Sequence, residues 1–427
     1  MKRRVFLGSA VALAVVAAIT LKPRQVGAPH QPYFESLSNE LKRHNLYKPK
    51  MLIDLDSVDS NIDNISNMLN PQASYRIPVK SLPSIDFLEY VMTRSKSNRL
   101  MVFHQPFLNL IAQRLPNSDV LFGKPMPVAL ARRYYQTVDP NSAFDSATQL
   151  QWLVDTKERL DQYLSLAKEL NQKMRINVEI DVGLHRGGLL QPQSLIPLLD
   201  LINDHPEFLE FSGFMGYDPH VVKLPSILKS VDDAYADSQS AYQAFIDVAL
   251  SHKINLNIEN LTFNGSGSPT LLLHRDNTVC NDLTAGSCIV KPSDFDIDTL
   301  EMMLPASFIS TPVLKQFAGT LLPAGEKLAG VIEAWDPNKQ QTLAIYGGKW
   351  KANYVSPSGI ANNQILGLST NQQVISASNL VDLKVDDFVF LRPHQSEFVF
   401  LQFGVLRTIR NGKINHHSWP VFSSDIV

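Results

Sequence analysis

Cysteine is scarce, with only Cys280 and Cys288 in 427 residues. That excludes a Cys-rich zinc module and a disulfide scaffold, although the two thiols would be free to pair with each other in an oxidising compartment. An excess of charge of either sign is also missing. Lys and Arg number 39, Asp and Glu 41, for a net charge of −2. A general nucleic-acid binder needs a basic face to displace counterions, so that class is excluded. Gly (20) and Pro (26) sit near average usage, which rules out a collagen-like chain. No internal repeat and no low-complexity tract occurs. What remains is a chain that is 44% hydrophobic, enough for a large core. Its length corresponds to two or three domains, or to one α/β barrel of about 250 residues plus a partner.

The first 28 residues read as a targeting segment outside the fold. Lys2, Arg3 and Arg4 form a basic start, followed by 17 uncharged residues, 5–21. Arg3-Arg4-Val5-Phe6-Leu7 is similar to a twin-arginine export signal. Val26-Gly27-Ala28 offers small residues to a signal peptidase, but Pro29 disfavours cleavage. The expectation is export to the periplasm, or an uncleaved anchor on the outer face of the inner membrane.

From residue 32 on, short apolar runs alternate with helix-length segments. The strand candidates are 51–55, 75–80, 100–103, 120–122, 142–145, 175–182, 211–216, 261–264 and 287–291. Helical patterns lie at 57–69, 85–93, 128–136, 148–170, 195–203 and 234–251. Such alternation predicts right-handed βαβ units and a parallel sheet. Nine strands exceed an eight-stranded barrel by one, so 51–55 is expected to join another domain. Pro78 is the weak point of its strand, since proline cannot donate to a ladder. After Pro305 short alternating runs with turn signals, including 330–335, 341–346 and 388–391, predict an all-β domain. The fold class expected is α/β: a (β/α)8 TIM-type barrel over 48–304, followed by a second, all-β domain over 305–427.

Several barrel strands end in residues with chemical potential, and barrel active sites lie at those ends. Lys80 closes the first strand, where a partly desolvated amine is suited to Schiff-base chemistry. Gly265-Ser266-Gly267-Ser268 follows the seventh strand. Small residues there let backbone amides approach an anion, and barrel phosphate sites favour the loops after strands seven and eight. An amine, a phosphate cradle and Arg186 in one mouth suit a phosphorylated carbonyl cofactor, and pyridoxal phosphate has that shape.

The chain resembles the fold-type III pyridoxal-phosphate enzymes, namely the alanine racemase N-terminal domain and, more closely, the D-threonine aldolase and D-serine dehydratase branch. The resemblance rests on Ile53-Asp54-Leu55-Asp56 with Asn61-Ile62, on Lys80, and on Glu179-Ile180-Asp181-Val182-Gly183 with Arg186-Gly187-Gly188. It continues through Gly213, Gly216-Tyr217, the Gly265–Ser268 loop and Ala285-Gly286-Ser287. It implies that Lys80 holds the cofactor and acts as a base at the substrate Cα. It places the phosphate on Ser266, Gly267, Gly286 and Ser287, with Gly265 a further cofactor-binding residue. Arg186 would sit by the phenolic oxygen or the substrate carboxylate, and Tyr217 against the pyridine ring or its nitrogen. Thr284 stands where the racemase has an arginine at the ring nitrogen. A neutral partner there weakens the electron sink and fits the aldolase-dehydratase branch.

Two departures from that branch stand out. Its histidines flanking the lysine are absent from Tyr75–Leu82. Its C-terminal metal pair is reduced to His394, with Ser396 at the second ligand position and Glu397 the only nearby anion. A divalent metal is therefore doubtful. The expected activity is lyase chemistry on a small D-amino acid, by a homodimer. A racemase or epimerase, and a cofactor-binding protein without turnover, are the alternatives. His104-Gln105-Pro106 and Gly123-Lys124-Pro125 are candidates to line a substrate pocket. Glu179 and Asp181 are expected to satisfy neighbouring polar groups, and His416-His417 to form a solvated edge.

Overall fold

The computed structural model describes residues 22–253, 256–323 and 325–423. The run 5–21, which carries the export reading, lies outside the described residues. No helix among the described residues is long and apolar enough to cross a membrane.

The chain divides into two compact units. One holds Asp54–Ala306, Gln395–Leu406 and the chain from Ser418. The other holds the described residues up to Ile53, Ser307–His394 and Arg407–His417. Gln395–Leu406 and the chain from Ser418, expected in the β-domain, therefore sort with the barrel.

In the first unit eight parallel strands close into a barrel. They are β2 (Ser74–Pro78), β3 (Arg99–Val102), β4 (Asp119–Phe122), β5 (Leu150–Val154), β6 (Met174–Glu179), β7 (Leu209–Met215), β8 (Thr262–Gly265) and β9 (Asp282–Thr284). Strand β1 (Lys50–Asp54) leaves to pair antiparallel with β10 (Ser307–Ala318), as the strand count required. Helices cover the barrel by their apolar faces. In α2 (Leu55–Met68) Val58, Ile62 and Ile65 are buried, and the Asp54 carboxylate caps the start by accepting from the amides of Asp56 and Ser57. In α6 (Lys157–Leu170) Leu160, Leu164 and Ala167 repeat that spacing, with Thr156 as the cap and Asn171 in the left-handed conformation at the end. Pro78 is the last residue of β2, in register with Met101 of β3 but beyond the Ser74–Arg76 stretch paired with β9, a strand-end position where proline is tolerated.

Two of the nine strand candidates were misplaced. Residues 142–145 form a turn held by the Asp145 side chain, which accepts from the Ala147 amide. The fifth barrel strand is β5, whose fully buried Leu150–Val154 shows no alternation and runs within two residues into α6. The run 287–291 includes a single 3-10 turn, Ser287–Ile289, and the eighth strand is Asp282–Thr284.

In the second unit nine strands among the described residues form one sheet, with β10 paired antiparallel to β1, to β11 (Gln341–Tyr346) and to the strand Phe388–Pro393. It is not all-β. Helix α1 (Pro32–Arg43) packs Phe34, Leu37 and Leu41 into its core, and residues 330–335 belong to α9 (Glu326–Trp335). Leu328, Val331 and Trp335 recur at helical spacing, which a strand reading begun at Gly330 truncated. Arg24–Ala28, expected outside the fold, are bonded here: Val26 N donates to Asn338 Oδ1 (2.8 Å), Asn338 Nδ2 donates to Arg24 O (2.8 Å), and Ser378 Oγ donates to Val26 O.

Candidate functional site

The chain leaves β2 through one 3-10 turn, Val79–Ser81, which carries Lys80 out of the strand and into a cavity at the C-terminal mouth of the barrel. The Lys80 ammonium lies 2.7 Å from Glu397 Oε1 and 4.6 Å from the centroid of the Phe103 ring. Glu397 opens a short helix, α10 (Glu397–Leu401), in the segment that sorts with the barrel.

Loops after β8 and β9 close the other end of the same cavity. Ser266, Gly267, Gly286, Ser287 and Thr284 all line it, with Arg186 and Tyr217. Two glycines are fixed by close approach. A Cβ at Gly267 would lie 2.6 Å from the Tyr217 ring, and one at Gly286 would lie 2.2 Å from the Pro78 ring. Ser268 Oγ accepts from the amides of Gly286 and Cys288, both at 3.1 Å, and so ties the two loops together. Ser81 and Ser287 share a hydroxyl–hydroxyl bond of 3.2 Å. Gly265, carried over as a cofactor-binding residue, does not line the cavity, and a Cβ there would lie 2.4 Å from the Cys280 sulfur. An amine at one end, and hydroxyls and a glycine backbone at the other, form a donor set that fits a phosphorylated carbonyl compound.

A buried chain of bonds behind the cradle was not legible in the sequence. His274 Nε2 bonds Asp218 Oδ2 (2.8 Å), Thr270 Oγ1 donates to Asp218 Oδ1 (2.6 Å), and the Gly267 amide donates to Thr270 Oγ1 (3.1 Å). Burial opposes ionisation of Asp218, but adjacent His274 and these bonds hold its carboxyl below the usual range. The chain positions the backbone of the loop. Asn264, another residue missed, donates to Thr284 Oγ1 at 2.8 Å and fixes that hydroxyl in the cavity wall.

Arg186 rests 4.9 Å from the Tyr217 ring centroid, a cation–π contact that keeps both on one side of the cavity. Asp181, as expected, serves its own loop: it accepts from the amides of Gly183 and His185 and bonds the His185 ring. Glu179 differs. Burial, then Asp155, with Arg186 opposing and Asp181 adding, pushes its carboxyl from the ordinary 4.5 up to about 7. The folded protein thus keeps a proton that the unfolded chain releases at lower pH. The associated stability is present below 4.5 and is lost as pH rises through 7. Glu179→Gln, which mimics the protonated form, should stabilise the protein by about 1–3 kcal/mol at pH 8 and by almost nothing at pH 4. Denaturant unfolding at the two pH values checks this, and an equal effect at both would refute it.

The remaining candidates fall elsewhere. Gly123 lines the cavity, whereas His104 and Lys124 do not. His416 meets His44 edge-on at 5.1 Å on an exposed edge. Cys280 and Cys288 are both free and buried. His394 lies in the sheet unit, its Nε2 bonded to Asn353 Oδ1 at 2.9 Å. Ser396 is fully buried, and Glu397 bonds Lys80. Among the described residues no group of three or more His, Cys, Asp or Glu is placed to hold a metal ion.

The sequence profile of the alanine racemase N-terminal domain matches residues 53–293. Among solved structures the chain is similar to D-threonine aldolase from Filomicrobium marinum, at 13% identity and TM-score 0.68, over 87% of this chain and 94% of that one. It is similar to D-threo-3-hydroxyaspartate dehydratase from Delftia sp. HT23, at 13% identity and TM-score 0.65, over 88% and 97%. Alanine racemase from Bacillus anthracis matches at 13% identity and TM-score 0.65, over 88% and 98%. Likeness at these identities speaks for the fold alone. A comparison with curated proteins found no match.

Proposed function

The chain belongs to the alanine racemase N-terminal domain family, whose members bind pyridoxal 5′-phosphate, and from that premise we propose that it is a lyase acting at Cα and Cβ of a small D-amino acid. The observation that carries the reading is that Lys80, Arg186, Tyr217 and both serine-glycine loops line one cavity. Bound pyridoxal phosphate supplies a sink for the electron pair released at the substrate Cα. Lys80 would hold the cofactor covalently and take or return the Cα proton. Ser266, Gly267, Gly286 and Ser287 would bind the phosphate, with the loop held by Thr270 and Asp218. Tyr217 would lie against the cofactor ring. Arg186 would pair with the phenolic oxygen or the substrate carboxylate, and Thr284 would meet the ring nitrogen without charge.

Racemase or epimerase activity is the second reading. The His394–Asn353 bond favours it, because it occupies the one histidine left of the metal pair. Metal normally activates the β-hydroxyl, whereas proton transfer at Cα needs none. The test is to incubate the purified protein with pyridoxal phosphate and look for a yellow band that borohydride bleaches, with the adduct on the Lys80 peptide. Formation of aldehyde or 2-oxo acid from D-threonine and D-serine then identifies a lyase, and enantiomer formation a racemase. A protein that stays colourless refutes the cofactor reading.

The proposal extends to a homodimer, and to export by the twin-arginine route with the segment retained as an anchor. Retention is supported by the bonds of Arg24 and Val26 to Asn338 and Ser378, which cleavage after Ala28 would remove. Replacing Arg3 and Arg4 together by Lys should abolish delivery to the periplasm. Undiminished delivery in a fractionation assay would refute the route.

A further inference from the structure

The anion nearest His394 in the sequence stands at the reacting end of the cavity, beside Lys80. Glu397 is the only carboxylate lining that cavity among the described residues, and its Oε1 is 2.7 Å from Lys80 Nζ. Their side chains are 39% and 36% exposed, so both heads open to the cavity and neither is sealed in a buried ion pair. The local backbone explains the direction. A strand through His394–Glu397 would alternate its side chains, but the chain starts helix α10 at Glu397 instead. Ser396 is fully buried, its hydroxyl without a hydrogen-bond partner, and Glu397 is the residue turned to the cavity.

We infer that Glu397 gives its proton to the substrate's leaving β-hydroxyl, is reprotonated by Lys80, and takes the place that a metal ion holds in the related lyases. The inference rests on the proposed lyase reading and names its substrate class, the β-hydroxy D-amino acids, and its reaction, elimination of water. In the proposed step Glu397 acts as the acid and Lys80 as the base: the Lys80 amine removes the Cα proton, and the electron pair of the C–H bond becomes the second Cα–Cβ bond. The Cβ–O bond breaks with its electrons, and the leaving hydroxyl takes the Glu397 proton and departs as water. Lys80 then returns its proton to Glu397 across the 2.7 Å contact. One hydrogen and one hydroxyl leave as water, the enamine that remains is hydrolysed by water to the 2-oxo acid and ammonia, and no oxidant or reductant is needed. A donor this close to Lys80 acts on the same side of the substrate as Lys80. That suits elimination, whereas inversion at Cα needs a second group on the opposite side.

The test uses the cofactor-loaded full chain with D-serine and D-threonine. It measures 2-oxo acid formation and Cα hydrogen exchange in deuterated water, with and without a chelator. Elimination by the wild type should change less than twofold with chelator. Glu397→Gln should lower elimination by about 100-fold or more, the usual size of a lost general acid, while exchange falls less than tenfold. Glu397→Asp should recover part of the loss. A readout independent of turnover is acetylation of Lys80 by acetic anhydride in the cofactor-stripped full chain. The carboxylate holds the Lys80 head at 2.7 Å, so Glu397→Gln, which removes that contact and exposes the nitrogen, should label several-fold faster. The inference is overturned if chelator abolishes elimination, if exchange and elimination fall together, or if labelling does not change. A yellow wild type with chelator-sensitive elimination overturns only this inference. A colourless wild type overturns the cofactor reading and the inference together.

Discussion

Lys80→Ala is expected to abolish the borohydride-sensitive yellow band and to slow Cα hydrogen exchange by on the order of 10³-fold or more, as loss of both a covalent anchor and a general base requires. The variant should nevertheless fold. Lys80 sits in a one-turn 3-10 segment, its side chain is 36% exposed, and its ion pair with Glu397 is open to solvent. Exposed pairs of that kind contribute about 0–1 kcal/mol. The contact with the Phe103 ring, 4.6 Å from the ammonium, adds an amount of similar size. Absorbance, exchange by NMR and a melting curve on one preparation separate the two effects. A yellow, exchange-competent Lys80→Ala would show that another amine holds the cofactor. A variant that melts far below the wild type would show that the strand end is structural.

The barrel and the candidate site were legible in the sequence to different depths, for physical reasons. Strands β3, β4, β6, β7 and β8 are apolar runs bounded by polar loops, and each was found to within a few residues. Strand β9 escaped because it is Asp282-Leu283-Thr284, a strand whose first residue is a buried acid. A hydropathy pattern cannot mark such a strand, since the partner that neutralises Asp282 is Arg76, some two hundred positions away. The site was found where chemistry concentrates in short motifs: Lys80 after its strand, the two serine-glycine loops, and Arg186 before two glycines. What stayed hidden was set by long-range geometry. Glu397 was visible only as a neighbour of His394, and nothing in 395–397 announces that the segment packs with the barrel. His274 and Asp218 are each unremarkable in sequence, and only folding joins them through Thr270 to the amide of Gly267.

Asp282→Ala should be the most destabilising single change at the barrel's other end, by about 3–5 kcal/mol, because it strands a buried cation. Arg76 is fully buried. Its Nε and Nη2 donate to the two oxygens of Asp282 at 2.7 and 3.1 Å, in a bidentate pair. Arg99 adds a contact of 2.9 Å to the same carboxylate. Removing the carboxylate leaves the guanidinium with Asp119 at 2.7 Å and with the carbonyls of Leu100 and Asp119, so the lower half of that range is the better expectation. The pair need not contribute net stability, since desolvation offsets much of its attraction. Arg76→Met with Asp282→Leu should therefore recover at least half of the loss. Full recovery is not expected, because Asp119 then loses its Arg76 partner. That cost is limited, since the Asp119 side chain is 28% exposed and water can reach it. The effect should also reach the site. Asn264 Nδ2 donates to Asp282 Oδ1 at 2.6 Å and to Thr284 Oγ1 at 2.8 Å, so the single variant frees the group that fixes the Thr284 hydroxyl. Cofactor affinity should weaken several-fold in Asp282→Ala and stay weakened in the double variant, which restores packing but not the carboxylate. Urea unfolding of the wild type, Arg76→Met, Asp282→Leu and their double variant gives the coupling energy, and cofactor titration gives the second effect. A single variant as stable as the wild type, or a double variant less stable than either single one, would show that the charge network does not work in this way.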